Sequence, residues 1–131
     1  MDDAQAQLIA AVERELGTKA VDTNQADIDP WISDWRGRVH GAAPAILSPA
    51  STDDVVAIVK LAAEHRVPLV PQGGNTGMAA GATPSADGSQ MLISTRRMNR
   101  IRSINADSRL AIAEAGVVLE AYWQFLVAVH C

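Results

Sequence analysis

The sequence predicts an α+β fold made of two small subdomains, and three observations carry that expectation. Ala45 to Val70 reads as a strand–helix–strand unit. That unit runs directly into a glycine-rich loop, Pro71-Gln72-Gly73-Gly74-Asn75-Thr76-Gly77-Met78-Ala79-Ala80-Gly81-Ala82. Beyond the loop, short alternating runs replace helical periodicity, so the second subdomain is expected to be mostly antiparallel strands.

Ala4 to Leu16 is the first expected helix, because Leu8, Ile9, Val12 and Leu16 fall at helical spacing and Gly17 follows as a stop. Val21 to Gly41 is irregular, punctuated by Asp27, Asp29, Pro30 and Gly37. Trp31, Ile32 and Trp35 are read as apolar pins that fasten this lead-in to the core. Ala45 to Ser48 is a short strand closed by Pro49, and Ser51 opens a helix. Asp54, three residues on, resembles the second half of a capping box and suits the helix dipole. Val55, Ile58, Val59 and Ala62 are expected to share the buried face. Val67 to Val70 is the next strand, and the crossover joining it to the first implies parallel strands in right-handed connection.

Gly77 to Gly88 stays loop-like, and Met91 to Ser94 is a third strand. Ile101 to Asn105 and Leu110 to Glu114 form a hairpin around Ala106-Asp107-Ser108-Arg109. In its second arm Leu110, Ile112 and Glu114 alternate with Ala111, Ala113 and Ala115, a half-buried pattern. From Val117 a helix is expected to turn into a nearly uniform apolar tail ending at Cys131. A helix apolar all round needs burial in a larger body. A truncated or frame-shifted product with an exposed, sticky C-terminus is the expectation this raises.

The glycine loop is the chemical centre. Gly73, Gly74 and Gly77 remove three Cβ atoms within five residues, which permits positive φ and close approach of a ligand to the main chain. Successive N–H groups in such a loop can converge on an anion, most often a phosphate. Asn75 and Thr76 can bond the loop itself or that anion. Two familiar phosphate loops do not fit. A Rossmann fingerprint would need glycine where Gln72 stands, and a Walker A loop needs a lysine, yet none follows Lys60.

Pro-Gln-Gly-Gly-Asn-Thr-Gly, preceded by Val-Pro-Leu-Val, resembles the pyrophosphate loop of the FAD-linked oxidase family. These are the flavoproteins of D-lactate, glycolate and D-2-hydroxyglutarate oxidation, which share a fold with vanillyl-alcohol oxidase. Ala45 to Val55, Leu92 to Ile101 and Ala113 to Leu119 resemble neighbouring family segments in the same order, so the likeness covers roughly residues 28–120. It implies an N-terminal helix and lead-in over 1–44 and an incomplete FAD-binding domain over 45–131. The first subdomain would run to about 77 and the second would start at about 78. It further implies cofactor contacts at Gly73, Gly74, Asn75, Thr76 and Gly77, and at Gly81 and Ala82 where the loop returns. Some relatives attach the flavin through a loop His where this chain has Asn75, so non-covalent FAD is implied. His40, His65 and His130 read as surface or helix-end residues without metal-ligand spacing. The family's substrate domain and catalytic His and Arg residues lie beyond this sequence, so no catalytic residue is assigned.

Composition bounds the rest. The chain has 131 residues, one domain's worth, and 48% hydrophobic residues, enough for a packed core. A net charge of −4 argues against a nucleic-acid surface. Arg96, Arg97, Arg100 and Arg102 are therefore read as a solvated connection in preference to a phosphate patch. The single cysteine allows no internal disulfide, Met1-Asp2-Asp3 lacks a signal-like basic start, and no apolar stretch reaches the ~18 residues of a spanning helix. A cytoplasmic protein is expected. The functional expectation is the FAD-binding portion of an enzyme oxidising a D-2-hydroxy acid to a 2-oxo acid. The alternatives are an inactive fragment or a small module for another phosphate ligand.

Overall fold

The structure, a computed structural model, describes residues 1–130, the side chains of residues 125 and 128–130 apart. The reading of Cys131, and of the side chain of His130, lies outside the described residues.

Helix α1 (Asp3–Leu16) opens on a reciprocal capping box. The Asp2 carboxylate accepts the Gln5 N–H at 2.8 Å, and the Gln5 carbonyl group of the side chain accepts the Asp2 N–H at 2.9 Å. Leu8, Ile9 and Val12 form its buried stripe. After β1 (Val21–Asp22), one short helical turn, α2 (Gln25–Ile28), and a 3₁₀ turn at Asp29–Trp31 lead to β2 (Ile46–Leu47). Helix α3 (Thr52–Glu64) starts at Ser51, whose Oγ accepts the Asp54 N–H at 3.1 Å. The Asp54 carboxylate reaches one residue further back than a capping box requires, to the Ala50 N–H at 2.8 Å.

Strands β3 (Leu69–Gln72) and β4 (Met91–Ser94) complete a four-stranded sheet of order β1-β2-β4-β3. β4 pairs in parallel with both β2 and β3, while β1 is antiparallel to β2. Side-chain alternation splits this sheet's contacts between two cores. Leu47, Met91 and Ile93 face α1 and α3 and pack with Leu8, Val12 and Ile58. Ile46, Val70 and Leu92 face the lead-in and pack with Ile28 and Ala43, against which Trp31 and Ile32 rest. All four residues of β4 are buried, as a strand covered on both faces requires.

β5 (Ile101–Asn105) and β6 (Leu110–Ala113) form the expected antiparallel hairpin, and α4 (Leu119–His130) follows. The glycine loop leaves the first sheet and the chain returns to it as β4; the second sheet starts at Ile101. The strands flanking α3 are parallel, as expected, and the wholly buried β4 lies between them in the sheet. Several expectations need correction. Val59 is 49% exposed, as the buried stripe of α3 runs through Val55, Ile58 and Ala62 with Leu61 beside it. Trp35 is 65% exposed, at the tip of a turn that the Asp34 carboxylate holds by accepting the N–H groups of Arg38 and Val39, both at 2.7 Å. Leu110 and Ile112 face outward at 56% and 47% exposure, because a two-stranded ribbon has no layer of its own to bury a face against. Leu119, Trp123 and Val127 of α4 are exposed, in line with the apolar stretch expected there.

Candidate functional site

β3 ends at Gln72 and releases the chain into the glycine loop. From Gly73 through Ala82, no backbone N–H donates to another group among the described residues. The loop's α-carbons are correspondingly bare. A Cβ added at Gly77 or Gly81 would meet nothing within 4 Å, and at Gly73 and Gly74 it would make only ordinary contacts of 3.8 and 3.9 Å. The glycines do not adopt the positive φ the sequence allowed them. Asn75 (φ 55°) and Ala80 (φ 56°) make the left-handed turns, Asn at a position where its short polar side chain is tolerated. The glycines keep the loop surface uncovered.

Two buried or half-buried amides hold this loop in place. Gln72 lies on the same strand face as Val70, toward the lead-in, and is 3% exposed. Its Nε2 donates to the carbonyls of Trp31 at 2.8 Å and Ala82 at 2.9 Å, joining lead-in, strand end and returning loop. Asn75 Nδ2 donates to the Ser33 carbonyl at 2.8 Å.

A cleft of about 600 Å³ opens beside the loop, lined by Gly74 and Thr76, by Trp31 and Arg96, and by the turn and first helical residues 115–120. Of the residues expected to contact a cofactor, Gly74 and Thr76 line this cleft; Gly73, Asn75, Gly77, Gly81 and Ala82 lie elsewhere on the same loop. The far wall is brought in by Gly116. Its N–H donates to the Met98 carbonyl at 2.8 Å, and a Cβ there would overlap the Thr95 carbonyl oxygen.

The four arginines are exposed, as expected of a solvated connection, and they divide by partner. Arg97 donates from one terminal nitrogen to the carbonyls of Ser48 at 2.7 Å and Lys19 at 3.2 Å. Arg100 and Arg102 pair with the carboxylate of Glu114 at 2.9 and 3.4 Å. The Glu114 side chain is 1% exposed. Arg100 side-chain and backbone hydrogen bonds hold its pKa down at about 2, against the opposing effect of burial. Arg96 alone of the four lines the cleft, its Cζ 3.6 Å from the centroid of the Trp31 ring. His40 sits outside it, its Nδ1 2.6 Å from the Ser33 hydroxyl, and His65 caps the end of α3. Sequence reasoning missed Gln72, whose placement follows from strand parity, and Trp31 and Arg96 as a pair, which no local pattern connects. No helix among the described residues is long and apolar enough to cross a membrane.

Residues 43–130 match the family described as FAD binding domain. The chain is 35% identical over 118 residues to the mitochondrial D-2-hydroxyglutarate dehydrogenase of Bos taurus, covering 90% of this chain and 21% of that protein. It is 37% identical over 103 residues to the D-2-hydroxyglutarate dehydrogenase of Stutzerimonas stutzeri, covering 79% of this chain and 22% of that one. The chain thus spans about a fifth of the length of these relatives. Among solved structures, p-cresol methylhydroxylase with substrate bound superposes with a TM-score of 0.82 at 18% identity, over 99% of this chain and 26% of that one. The fold is therefore that of the vanillyl-alcohol-oxidase-type flavoproteins, and the chain belongs to the FAD binding domain family.

Proposed function

We propose that this chain forms the pyrophosphate-binding part of a flavin-dependent oxidoreductase, that it holds FAD non-covalently, and that the enzyme oxidises a D-2-hydroxy acid to the 2-oxo acid. The observation that carries the reading is the run of N–H groups from Gly73 through Ala82 without acceptors among the described residues, beside α-carbons that a ligand can approach. Clustered amides stabilise the charge of two phosphates without a lysine. The residues present fit FAD in that respect. Gly73, Gly74, Asn75, Thr76 and Gly77 are the proposed contacts, with Gly81 and Ala82 at the loop's return. When bound, the flavin supplies the hydride acceptor, and this chain's residues bind and orient it. The hydroxy-acid part of the reading rests on the likeness to the D-2-hydroxyglutarate dehydrogenases. The non-covalent part rests on the loop, which holds neither His nor Cys from Gly73 to Ala82.

The test is a tryptophan-fluorescence titration of the purified chain with FAD, riboflavin and ADP, followed by denaturation and ultrafiltration of the FAD-loaded sample. Saturable FAD binding tighter than that of ADP, with all flavin released on denaturation, is expected. Equal binding of ADP and FAD would instead favour a module for other phosphate ligands, and flavin retained on the denatured chain would refute non-covalent attachment. Bleaching of flavin absorbance by D-2-hydroxyglutarate or D-lactate, in protein purified from its own source, tests the substrate class.

A further inference from the structure

The glycine loop offers partial charges only, since no Lys or Arg lies between Gln72 and Ser94. Arg96 is the one cation among the described residues lining the cleft beside it. Its guanidinium lies over the Trp31 ring, 3.6 Å from the centroid, and its Nε donates to the buried Ser94 hydroxyl at 3.0 Å. Ring and hydroxyl hold the guanidinium, and its terminal nitrogens donate to no group among the described residues. Among the described residues the ion pairs belong to Arg100 and Arg102, with Glu114; no carboxylate lies within ion-pair distance of Arg96, and the charge of Asp22 acts on it from further off. Glu120, on the opposite lining, is the one acid of the cleft among the described residues, and it makes no ion pair with Arg96.

We propose that Arg96 is an anion-recognition residue of this cleft, its guanidinium pairing with a phosphate of the dinucleotide seated on the glycine loop while Trp31 and Ser94 hold it in place. The inference rests on the FAD reading above and extends it to a residue outside the loop. A planar guanidinium is suited to phosphate oxygens, and charge-assisted bonds of this kind are about twice as strong as neutral ones. A lysine would keep the charge but lose both the fork and the flat packing on indole.

The test titrates wild type, Arg96→Gln, Arg96→Lys and the remote charge control Arg14→Gln with FAD and with riboflavin, which has no phosphate. Circular dichroism and melting establish that each variant folds. For Arg96→Gln the Kd for FAD is expected to rise about ten- to a hundredfold, the loss of a hydrogen bond to a charged group. The Kd for riboflavin should stay within twofold, the salt dependence of FAD binding should flatten, and Arg96→Lys should fall between. An unchanged Kd for FAD in Arg96→Gln would overturn the inference while leaving the FAD reading standing. So would equal losses for FAD and riboflavin, which would assign Arg96 to shaping the cleft. Failure of wild type itself to bind FAD would remove both together.

Discussion

Gln72 is the residue whose replacement probes the architecture of the site most directly. Its buried Nε2 joins two carbonyls, those of Trp31 and Ala82, that come from segments far apart in sequence. In Gln72→Leu the volume is nearly kept and both hydrogen bonds go, at about 0.5–1.5 kcal/mol each. The loss of about 1–3 kcal/mol is a large share of a total stability of about 5–15 kcal/mol. For a chain of this size each kcal/mol moves the melting midpoint by about 3–6 °C, so a fall of roughly 8 °C is expected at mid-range. Gln72→Glu should be worse at neutral pH, because a carboxylate would face two carbonyl oxygens with no donor. Burial without a donor raises the folded-state pKa of that carboxyl above its unfolded value. The unfolded chain then carries fewer protons between the two values, so stability rises as pH falls and the Glu variant converges on the Leu variant. Thermal melts of the three proteins from pH 4 to 8, with Trp fluorescence reporting the lead-in, measure both effects. A Leu variant that melts with wild type, or a Glu variant indistinguishable from Leu at pH 7, would refute the assignment.

Three further outcomes are expected. Glu114, held at about 2 against an ordinary 4.5, stabilises the fold fully above the unfolded value and loses that contribution as pH falls toward 2. Asp87, held at about 2 chiefly by the Ser85 hydroxyl, acts in the same window. Glu114→Gln should therefore lower the melting point at pH 7 and narrow its gap to wild type on acidification; a gap independent of pH would exclude the ion pairs as its source. Arg66 takes a left-handed conformation (φ 56°) just past the end of α3. Arg66→Gly is expected to stabilise the chain by about 0.5–1 kcal/mol in urea melts, and a loss would mean that the side chain contributes more than the backbone strain costs. Gly116→Ala forces a Cβ onto a backbone carbonyl, which shifts only at a cost, so a destabilisation of about 1–3 kcal/mol together with weakened FAD binding is expected. Normal melting and binding would show that the turn can open.

Periodicity made most elements legible, because it is a local property. The stripe of Leu8, Ile9 and Val12, the Ser51 cap, the strand Met91 to Ser94 and the hairpin arms all stand where their spacing put them. Strand order was not legible, since placing β4 between β2 and β3 depends on burial of its two faces against segments remote in sequence. The same limit applies at the site. The glycine loop could be found from residues that adjoin one another, whereas Arg96 and Trp31 meet only through the fold. Four arginines within seven residues look alike in the sequence; Glu114, two backbone carbonyls and an indole separate them.

The cleft has walls of unequal construction, and this bears on how it would bind. One wall is the glycine loop and Trp31, fastened by Gln72 to a sheet with cores on both faces. The other, residues 115–120, belongs to the ribbon and α4, whose Leu110, Ile112, Leu119 and Trp123 are largely exposed. It is tied to the segment that leaves β4 by the Gly116 N–H, which donates to the Met98 carbonyl, and by the Thr95 hydroxyl, which donates to the Ala115 carbonyl at 3.3 Å, while the Glu114–Arg100 pair closes the base of the ribbon itself. Few buried apolar contacts mean a low cost of local opening. A ligand that touches both walls would then order the second wall as it binds, and part of its affinity would be lost to that ordering. Hydrogen exchange should show β5, β6 and the start of α4 protected on FAD binding while β4 changes little. Equal protection of both sheets before any ligand is added would mean that the second wall is as firmly built as the first.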